Sequence, residues 1–535
     1  MLQAPAVYAQ ERDGINLTPT LESRSPWQIY LVLLFSTFVT IEAAAFQAPA
    51  IPSVARHYGI PINLSALILL FYFLALTVFA PIMGRFADLV GRKRILMSGL
   101  LLFAVAEFLA ASAPAFPLFL AARFLQGFGV ACILPGVMAY VSDLFPARNR
   151  GTAFGVLTLA MTLGAASGGL LGGLLIDNFG WPSVYWISGA LAIAGLAPVA
   201  LLVPEIRSSA ARRPFDLTGA LWLFVTIGTL LSLPTWAGSF GINSSYTLAV
   251  LCAGVLGLVM LVRGGSRSAA PVVDFSILKQ RSFALPTAIY WLHLLSFSGV
   301  LYALAFFING RPGGSASQFG FVSLFLYGSS MVSAPISGRL VDRMNPRGVS
   351  IFALTGTLIA LVMFTTIRVD TPLWFIVLTV SALGLMMGAN TPAIMKLALG
   401  AVPRERMGVG TGLFRMLCDL GSPTGSAFAL AVFGTSLAIH TEQALTARAK
   451  ALGVGDEFLD SLAALFASKG KIVVPALAEQ LQARGTDAKE LLRLAGLDGL
   501  SGALPSVGYL LLGMVSLAWL LSFLLPRGPA ACRDR

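Results

Sequence analysis

The chain has 535 residues, of which 57% are hydrophobic and only 11% charged, and its mean hydropathy is +0.82. A soluble domain carries about 25% charged residues, so a single soluble globule is excluded, as are collagenous, disordered and disulfide-built chains. The formal net charge of +12 is spread over short loops between apolar runs instead of gathering on one face, which speaks for membrane topology and against nucleic acid.

A bilayer crossing takes about 20 apolar residues. Fourteen spans are predicted, near 27–54, 64–84, 95–113, 116–144, 151–176, 181–203, 217–236, 246–263, 284–308, 319–338, 348–367, 372–400, 408–437 and 505–525. Residues 1–26 carry Glu11, Arg12 and Asp13 and read as a cytosolic tail, not a signal peptide. Ionisable residues inside a span are functional candidates by default, because burying them is expensive. Span 1 holds Glu42, with Gln47 one turn further on. After span 2 comes a tight loop, Gly84-Arg85-Phe86-Ala87-Asp88-Leu89-Val90-Gly91-Arg92-Lys93-Arg94. Span 3 carries Glu107, placed to pair locally, and span 4 carries Arg123, with Asp143 at its end placed to share Arg92.

Span 5 has Gly155, Gly164, Gly168, Gly172 and Gly173. Each glycine costs a helix about 1 kcal/mol, so a stripe of them points to a neighbouring backbone in close contact. Span 9 supplies Tyr290 and His293, and span 12 supplies Asn390 and Lys396; Gln47, Tyr290, His293 and Asn390 are candidates to line a cavity, and Lys396 is placed to snorkel to the surface. Arg415 and Asp419 on span 13 are four residues apart, so they can satisfy each other or serve protons and a substrate. The polar stretch 438–504, with Phe458, Leu459, Leu462, Leu465 and Phe466 at helical spacing, predicts a small amphipathic cap on the outer face. Cys132, Cys252, Cys418 and Cys532 draw neither a disulfide framework nor a zinc site, and neither metal nor cofactor is expected.

Basic residues crowd the loops on one side, among them Arg92, Lys93, Arg150, Arg213, Arg343 and Arg347, whereas the other side has Arg56, Arg311 and Arg368. That asymmetry predicts cytosolic termini in a plasma (inner) membrane. At 1.5 Å per residue Glu42 lies about 22 Å from the cytosolic end of span 1, and Arg123 about 9 Å from the outer end of span 4, so the two share a depth and are expected to pair. The loop after span 10, Gly338-Arg339-Leu340-Val341-Asp342-Arg343, repeats the Gly and Asp of the loop after span 2. The chain therefore parses as a cytosolic tail (1–26), a six-helix half (27–203), a linker with two inserted helices (204–283), a second six-helix half (284–525) with the loop 438–504, and a tail (526–535). Two halves in parallel repeat place a substrate site between them near the midplane.

These motifs resemble the major facilitator superfamily. The loop with Gly84, Asp88, Gly91 and Arg92 resembles its motif A, G-x-L-x-D-x-x-G-R-K, with Phe86 at the Leu position. Arg123-Phe124-Leu125-Gln126-Gly127-Phe128-Gly129 is similar to R-x-x-Q-G-x-G. The span 5 glycines resemble motif C of drug:proton antiporters, G-x8-G-x3-G-P-x2-G-G, with Gly169 where the motif has Pro. The segment around Asp216 to Gly219 and the inserted helices resemble the fourteen-helix branch of these exporters. The resemblance implies an all-α major facilitator fold of fourteen helices as 6+2+6. It implies that Asp88 meets the end of span 13 near Gly408, that Asp342 meets span 5 near Gly151, and that these contacts lock an outward-facing state. It also implies that span 5 helps to seal the cavity between halves, and that Glu42 stands where these antiporters carry an Asp.

The function expected is proton-coupled export of small amphipathic compounds or drugs by alternating access, with substrate, protons and the lipid bilayer as partners. A dedicated exporter of one metabolite or lipid, and a non-transporting sensor of the same fold, are the alternatives. The sequence names no periplasmic adaptor. An enzyme is disfavoured, because there is no P-loop, no H-E-x-x-H and no G-x-S-x-G.

Overall fold

The computed structural model describes residues 25–206, 216–265, 272–273, 275–402, 407–451 and 488–526. The first half contains α1 (Pro26–Ala45), α2 (Gln47–Tyr58), α3 (Ala66–Val90), α4 (Arg92–Ala111), α5 (Phe116–Leu144), α6 (Ala147–Phe179) and α7 (Pro182–Leu202). The inserted pair is α8 (Leu217–Phe240) and α9 (Ser245–Gly265), followed by the short α10 (Phe275–Leu278). The second half contains α11 (Arg281–Gly310), α12 (Ala316–Arg343), α13 (Pro346–Thr365), α14 (Leu373–Leu399), α15 (Met407–Asp419), α16 (Gly421–Ala451) and α17 (Ala488–Ser522). Among the described residues fourteen helices are long and apolar enough to cross a membrane, once α15 runs on into α16. In lipid every backbone polar group needs an internal partner, so a chain of this hydropathy resolves into helices.

Two of the crossings are broken, and prolines break them. Proline has no N–H to give the carbonyl four residues back, and its ring crowds that carbonyl. Four residues before Pro49 is Ala45, where α1 ends; four before Pro423 is Asp419, where α15 ends. Glu42 and Asp419 therefore each stand within one turn of a bend.

Fourteen crossings return the chain to the face on which it starts, here termed the terminal face. There Trp27 meets Phe145 edge-on at 4.8 Å, and the Arg347 guanidinium donates to the Phe523 carbonyl at 2.6 Å. On the opposite face the Tyr58 hydroxyl donates to the Ala113 carbonyl at 2.7 Å, and Arg311 donates to the Thr371 carbonyl at 3.2 Å.

The halves lean on each other toward the opposite face, α6 against α12, α2 against α11, and α16 against α3 and the 3-10 turn Ile62–Ser65. A Cβ built on Gly173 would lie 2.7 Å from Ser317 Cα, and one on Gly320 would lie 2.9 Å from Leu170 Cα. Nearer the terminal face the same two helices stand apart: Gly155 on α6, and Gly328 and Gly338 on α12, have open space where a Cβ would go. Among the described residues the cleft between the halves thus opens on the terminal face.

Two boundaries differ from the sequence reading. The helix of span 13 continues to Ala451, and the last helix begins at Ala488 instead of near 505. The extensions hold each other, with Arg448 paired to Asp498 at 2.7 Å and Gly499 tight against Thr441. The expected amphipathic cap around Phe458 to Phe466 lies outside the described residues.

Candidate functional site

Glu42 is 5% exposed, and its carboxylate has neither an ion pair nor a hydrogen bond among the described residues. Its backbone presses on the glycine stripe of α6. A Cβ on Gly168 would come within 2.8 Å of the Glu42 carbonyl, one on Gly164 within 3.1 Å of the Phe38 carbonyl, and Gly172 abuts Phe46. This flank of the stripe faces α1 of its own half. The contact with the other half is made by the adjoining flank: Gly169 abuts Ser323, and Gly173 abuts Ala316. Gly169, standing at the motif's Pro position, is what lets α12 approach. Gly155 packs on nothing within 4 Å and is no part of this contact.

Arg123 does not meet Glu42. It is 1% exposed, bonded to Gln126 one turn on, and lies under the rings of Tyr72 at 4.8 Å and Tyr185 at 5.9 Å, while one terminal nitrogen has no hydrogen-bond partner among the described residues. The opposite charge within its electrostatic reach is Glu107, 2% exposed on α4. The rise per residue fixes depth, but not the direction in which a helix turns a side chain. At equal depth α1 sets the Glu42 backbone against α6, whereas α5 turns Arg123 toward α3 and α7.

Across the cleft, Arg415 Nε donates to Asp419 Oδ2 at 2.8 Å, and the two side chains are 57% and 31% exposed. Asp419 nonetheless lies within electrostatic reach of Tyr72 in the other half and of Tyr290. Groups of both halves thus lie around the pair, which places it on the cleft side of α15. Tyr290 stacks on Phe414 at 5.9 Å, with its hydroxyl 3.1 Å from that of Thr391, and completes this wall.

His293 and Asn390, expected as cavity residues, form a buried clamp inside the second half. Asn390 Nδ2 meets His293 Nδ1 at 2.9 Å, and His293 Nε2 meets the Thr357 hydroxyl at 2.9 Å, tying α11, α13 and α14. With both ring nitrogens engaged, the imidazole is a structural bolt. Lys396 Nζ donates to the Val341 carbonyl at 3.0 Å, joining α14 to the end of α12. Gln47 is buried just past the α1 bend, and both of its amide atoms lack a hydrogen-bond partner among the described residues.

At the terminal face Arg92 bridges Asp88, at 2.9 Å, and Asp143. The loop needs Gly91, whose φ of +127° suits only glycine and against which the Glu205 carboxylate lies. Glu205 accepts from Lys93 N at 3.1 Å and stands 3.6 Å from Arg94, so it caps α4; no motif marked it in the sequence. Gly84 lets α3 approach Pro135 on α5, whereas Gly338 packs on nothing within 4 Å. The side chains of Asp342 and of residues 407–409 lie outside the described residues.

A contact of the kind expected of Asp88 and Asp342, a carboxylate on the positive end of a helix from the other half, is present at the opposite face on a different residue. Asp177, in the last turn of α6, accepts from Ala316 N at 3.1 Å and Ser317 N at 2.8 Å, the first amides of α12. Those amides have no intrahelical partner, and a negative charge there is favourable.

The Major Facilitator Superfamily sequence model matches residues 33–426. The multidrug resistance protein Stp of Mycobacterium tuberculosis (strain CDC 1551 / Oshkosh) is 29% identical over 392 residues, covering 73% of this chain and 72% of Stp. The tetracenomycin C resistance and export protein of Streptomyces glaucescens is 27% identical over 438 residues, covering 78% of each chain. Among solved structures, a bacterial homologue of the human lysosomal transporter Spinster, in an inward-facing and unoccupied conformation, superposes with a TM-score of 0.60 at 14% identity over 93% of this chain and 97% of that one. These relatives are transporters, not enzymes, and the match spans both halves of the fold. The chain belongs to the Major Facilitator Superfamily.

Proposed function

We propose that this protein is a proton-coupled antiporter that exports small amphipathic compounds, drugs among them, through a plasma membrane with both termini in the cytosol. The terminal face is then cytosolic, and the structure represents the inward-open state. The observation that carries this reading is Glu42: a 5%-exposed carboxylate residue without a partner among the described residues, at a proline-made bend, against the helix through which the halves touch. Such a group is expensive to keep and marks a proton pathway.

In the inward-open state Glu42 gives up its proton to the cytosol, and a substrate enters the cleft beside Arg415, Asp419 and Tyr290. The halves then rock about the α6–α12 contact. On the outer side the substrate leaves and Glu42 takes a proton, which returns the cycle to its start. The aromatic and charged wall of the cleft suits amphipathic molecules, and the printed names of the relatives, multidrug resistance and tetracenomycin export, support that class.

The test is reconstitution in proteoliposomes with an imposed pH gradient. Ethidium and a chemically unrelated neutral dye should both accumulate against their gradients, collapse on adding a proton ionophore, and fail to accumulate with Glu42→Gln although binding is kept. Accumulation indifferent to the pH gradient would overturn the coupling.

A further inference from the structure

On the opposite face, away from the cleft, a cavity of about 1160 Å³ is walled by both halves. Small-molecule pockets run to about 300–1000 Å³, so this one is large enough for a molecule of lipid size. Its sides are apolar: Phe306 of α11, Phe433 and Leu437 of α16, and Leu497 and Leu500 of α17. The family match ends at residue 426, so the α16 and α17 walls belong to a region the superfamily pattern does not describe.

The polar end of the cavity has a definite character. Among the described residues its charged lining residues are Arg56 and Arg493, and no carboxylate lines it. Arg493 is already neutralised by Glu490 through two hydrogen bonds of 2.7 Å. Arg56 donates only to the Ser53 hydroxyl, at 3.2 Å, and has no carboxylate partner among the described residues. Asn63 spends its amide N–H on Ser239, at 2.7 Å, and Asn309 spends its own on the Ala305 carbonyl, at 2.8 Å, so each turns an acceptor oxygen to other partners. Arg56 also stands two residues before Tyr58, which clusters with Phe119 and Trp181, and aromatic rings of this kind gather at headgroup depth. A cation without a carboxylate partner among the described residues, set beside aromatic rings, with amide-oxygen acceptors near it and an apolar chamber behind it, describes one kind of guest.

We propose that this cavity holds one anionic phospholipid from the leaflet on that side, its phosphate on Arg56, headgroup hydroxyls on the asparagine oxygens, and acyl chains against Phe433 and Leu500. The proposal does not depend on the transport reading. It is tested by native mass spectrometry of the full chain released from mild detergent, titrated with phosphatidylglycerol and with phosphatidylcholine of the same acyl chains. The wild type should retain a single phosphatidylglycerol with a preference of about tenfold or more, the scale of one charge-assisted contact. Arg56→Gln, an exposed substitution, should erase that preference, and Leu500→Trp should reduce retention of both lipids, whereas Arg311→Gln, on the same face but outside the cavity, should leave the preference intact. Equal retention of the two lipids by the wild type, or a preference untouched by Arg56→Gln, would overturn the assignment. So would displacement of phosphatidylglycerol by an equal concentration of dodecyl sulfate, since the site would then take any anionic amphiphile and not a phospholipid.

Discussion

Glu42 and Gln47 flank one bend, and the energetics of each can be read from its surroundings. Gln47 buries an amide whose donor and acceptor both lack partners, and an unmade hydrogen bond of that kind costs about 1–3 kcal/mol. Gln47→Leu should therefore raise the melting temperature in detergent, or leave it unchanged, while transport falls if the amide serves the working cycle. His293 is the opposite case, fully bonded. Thr357→Val leaves His293 Nε2 without its partner and should destabilise the protein by about 1–3 kcal/mol, seen as a lower melting temperature, with turnover per folded molecule kept. A loss of turnover at unchanged stability would return His293 to the cavity. At this scale the sequence revealed which residues are costly, and roughly how deep they lie. It does not reveal the side of the helix they occupy, so Glu42 and Arg123 are paired on depth alone, whereas Glu107, expected to pair locally, is the carboxylate within electrostatic reach of Arg123. Asp177 and Glu205 escaped notice because neither lies in the middle of a span, where burial would have drawn attention to it.

Among the elements, α6 does two jobs with two flanks. Gly164, Gly168 and Gly172 seat α1, and Gly169 and Gly173 admit α12. Gly155→Leu should be tolerated, because space is open beside it in this state. Gly169→Leu should abolish transport at normal membrane insertion, because a side chain there meets Ser323 and the closed contact cannot form. Equal transport by the two variants would dismiss the contact as incidental. Asp177 secures that contact through the first amides of α12, so Asp177→Ala should loosen closure at the opposite face and increase labelling of a cysteine placed at Ser323. The glycine stripe and its need for a close neighbour were legible in the sequence, and so were the prolines that end α1 and α15. The identity of each neighbour was not, because it depends on how two halves far apart in the chain dock. The lengths of α16 and α17 were misjudged for a related reason: their polar outer turns read as loop, and the Arg448–Asp498 pair that supports them joins residues fifty positions apart.

For the molecule as a whole, the count of fourteen crossings and the 6+2+6 plan follow from apolar runs and the repeated Gly and Asp loops, which is why the fold was readable. The conformational state was not, since one sequence encodes every state of the cycle. Asp88 and Asp342 are expected to lock an outward-facing state, and the contact seen among the described residues is at the opposite face, where Asp177 meets the first amides of α12. The basic loops should be cytosolic, so in intact cells cysteines introduced between residues 207 and 215 should resist an impermeant maleimide, and those between 452 and 487 should react; labelling of both would refute the topology. The central claim is that Glu42 ties proton exchange to the rocking of the halves. The measurement that addresses it most directly is the spin-label distance between positions 152 and 339, at the terminal-face ends of α6 and α12, in nanodiscs from pH 5.5 to pH 8.5. The wild type should shift between a long and a short distance as pH changes, and Glu42→Gln should hold one distribution at every pH. A wild-type distance that ignores pH, or an unchanged pH response in Glu42→Gln, would contradict the account.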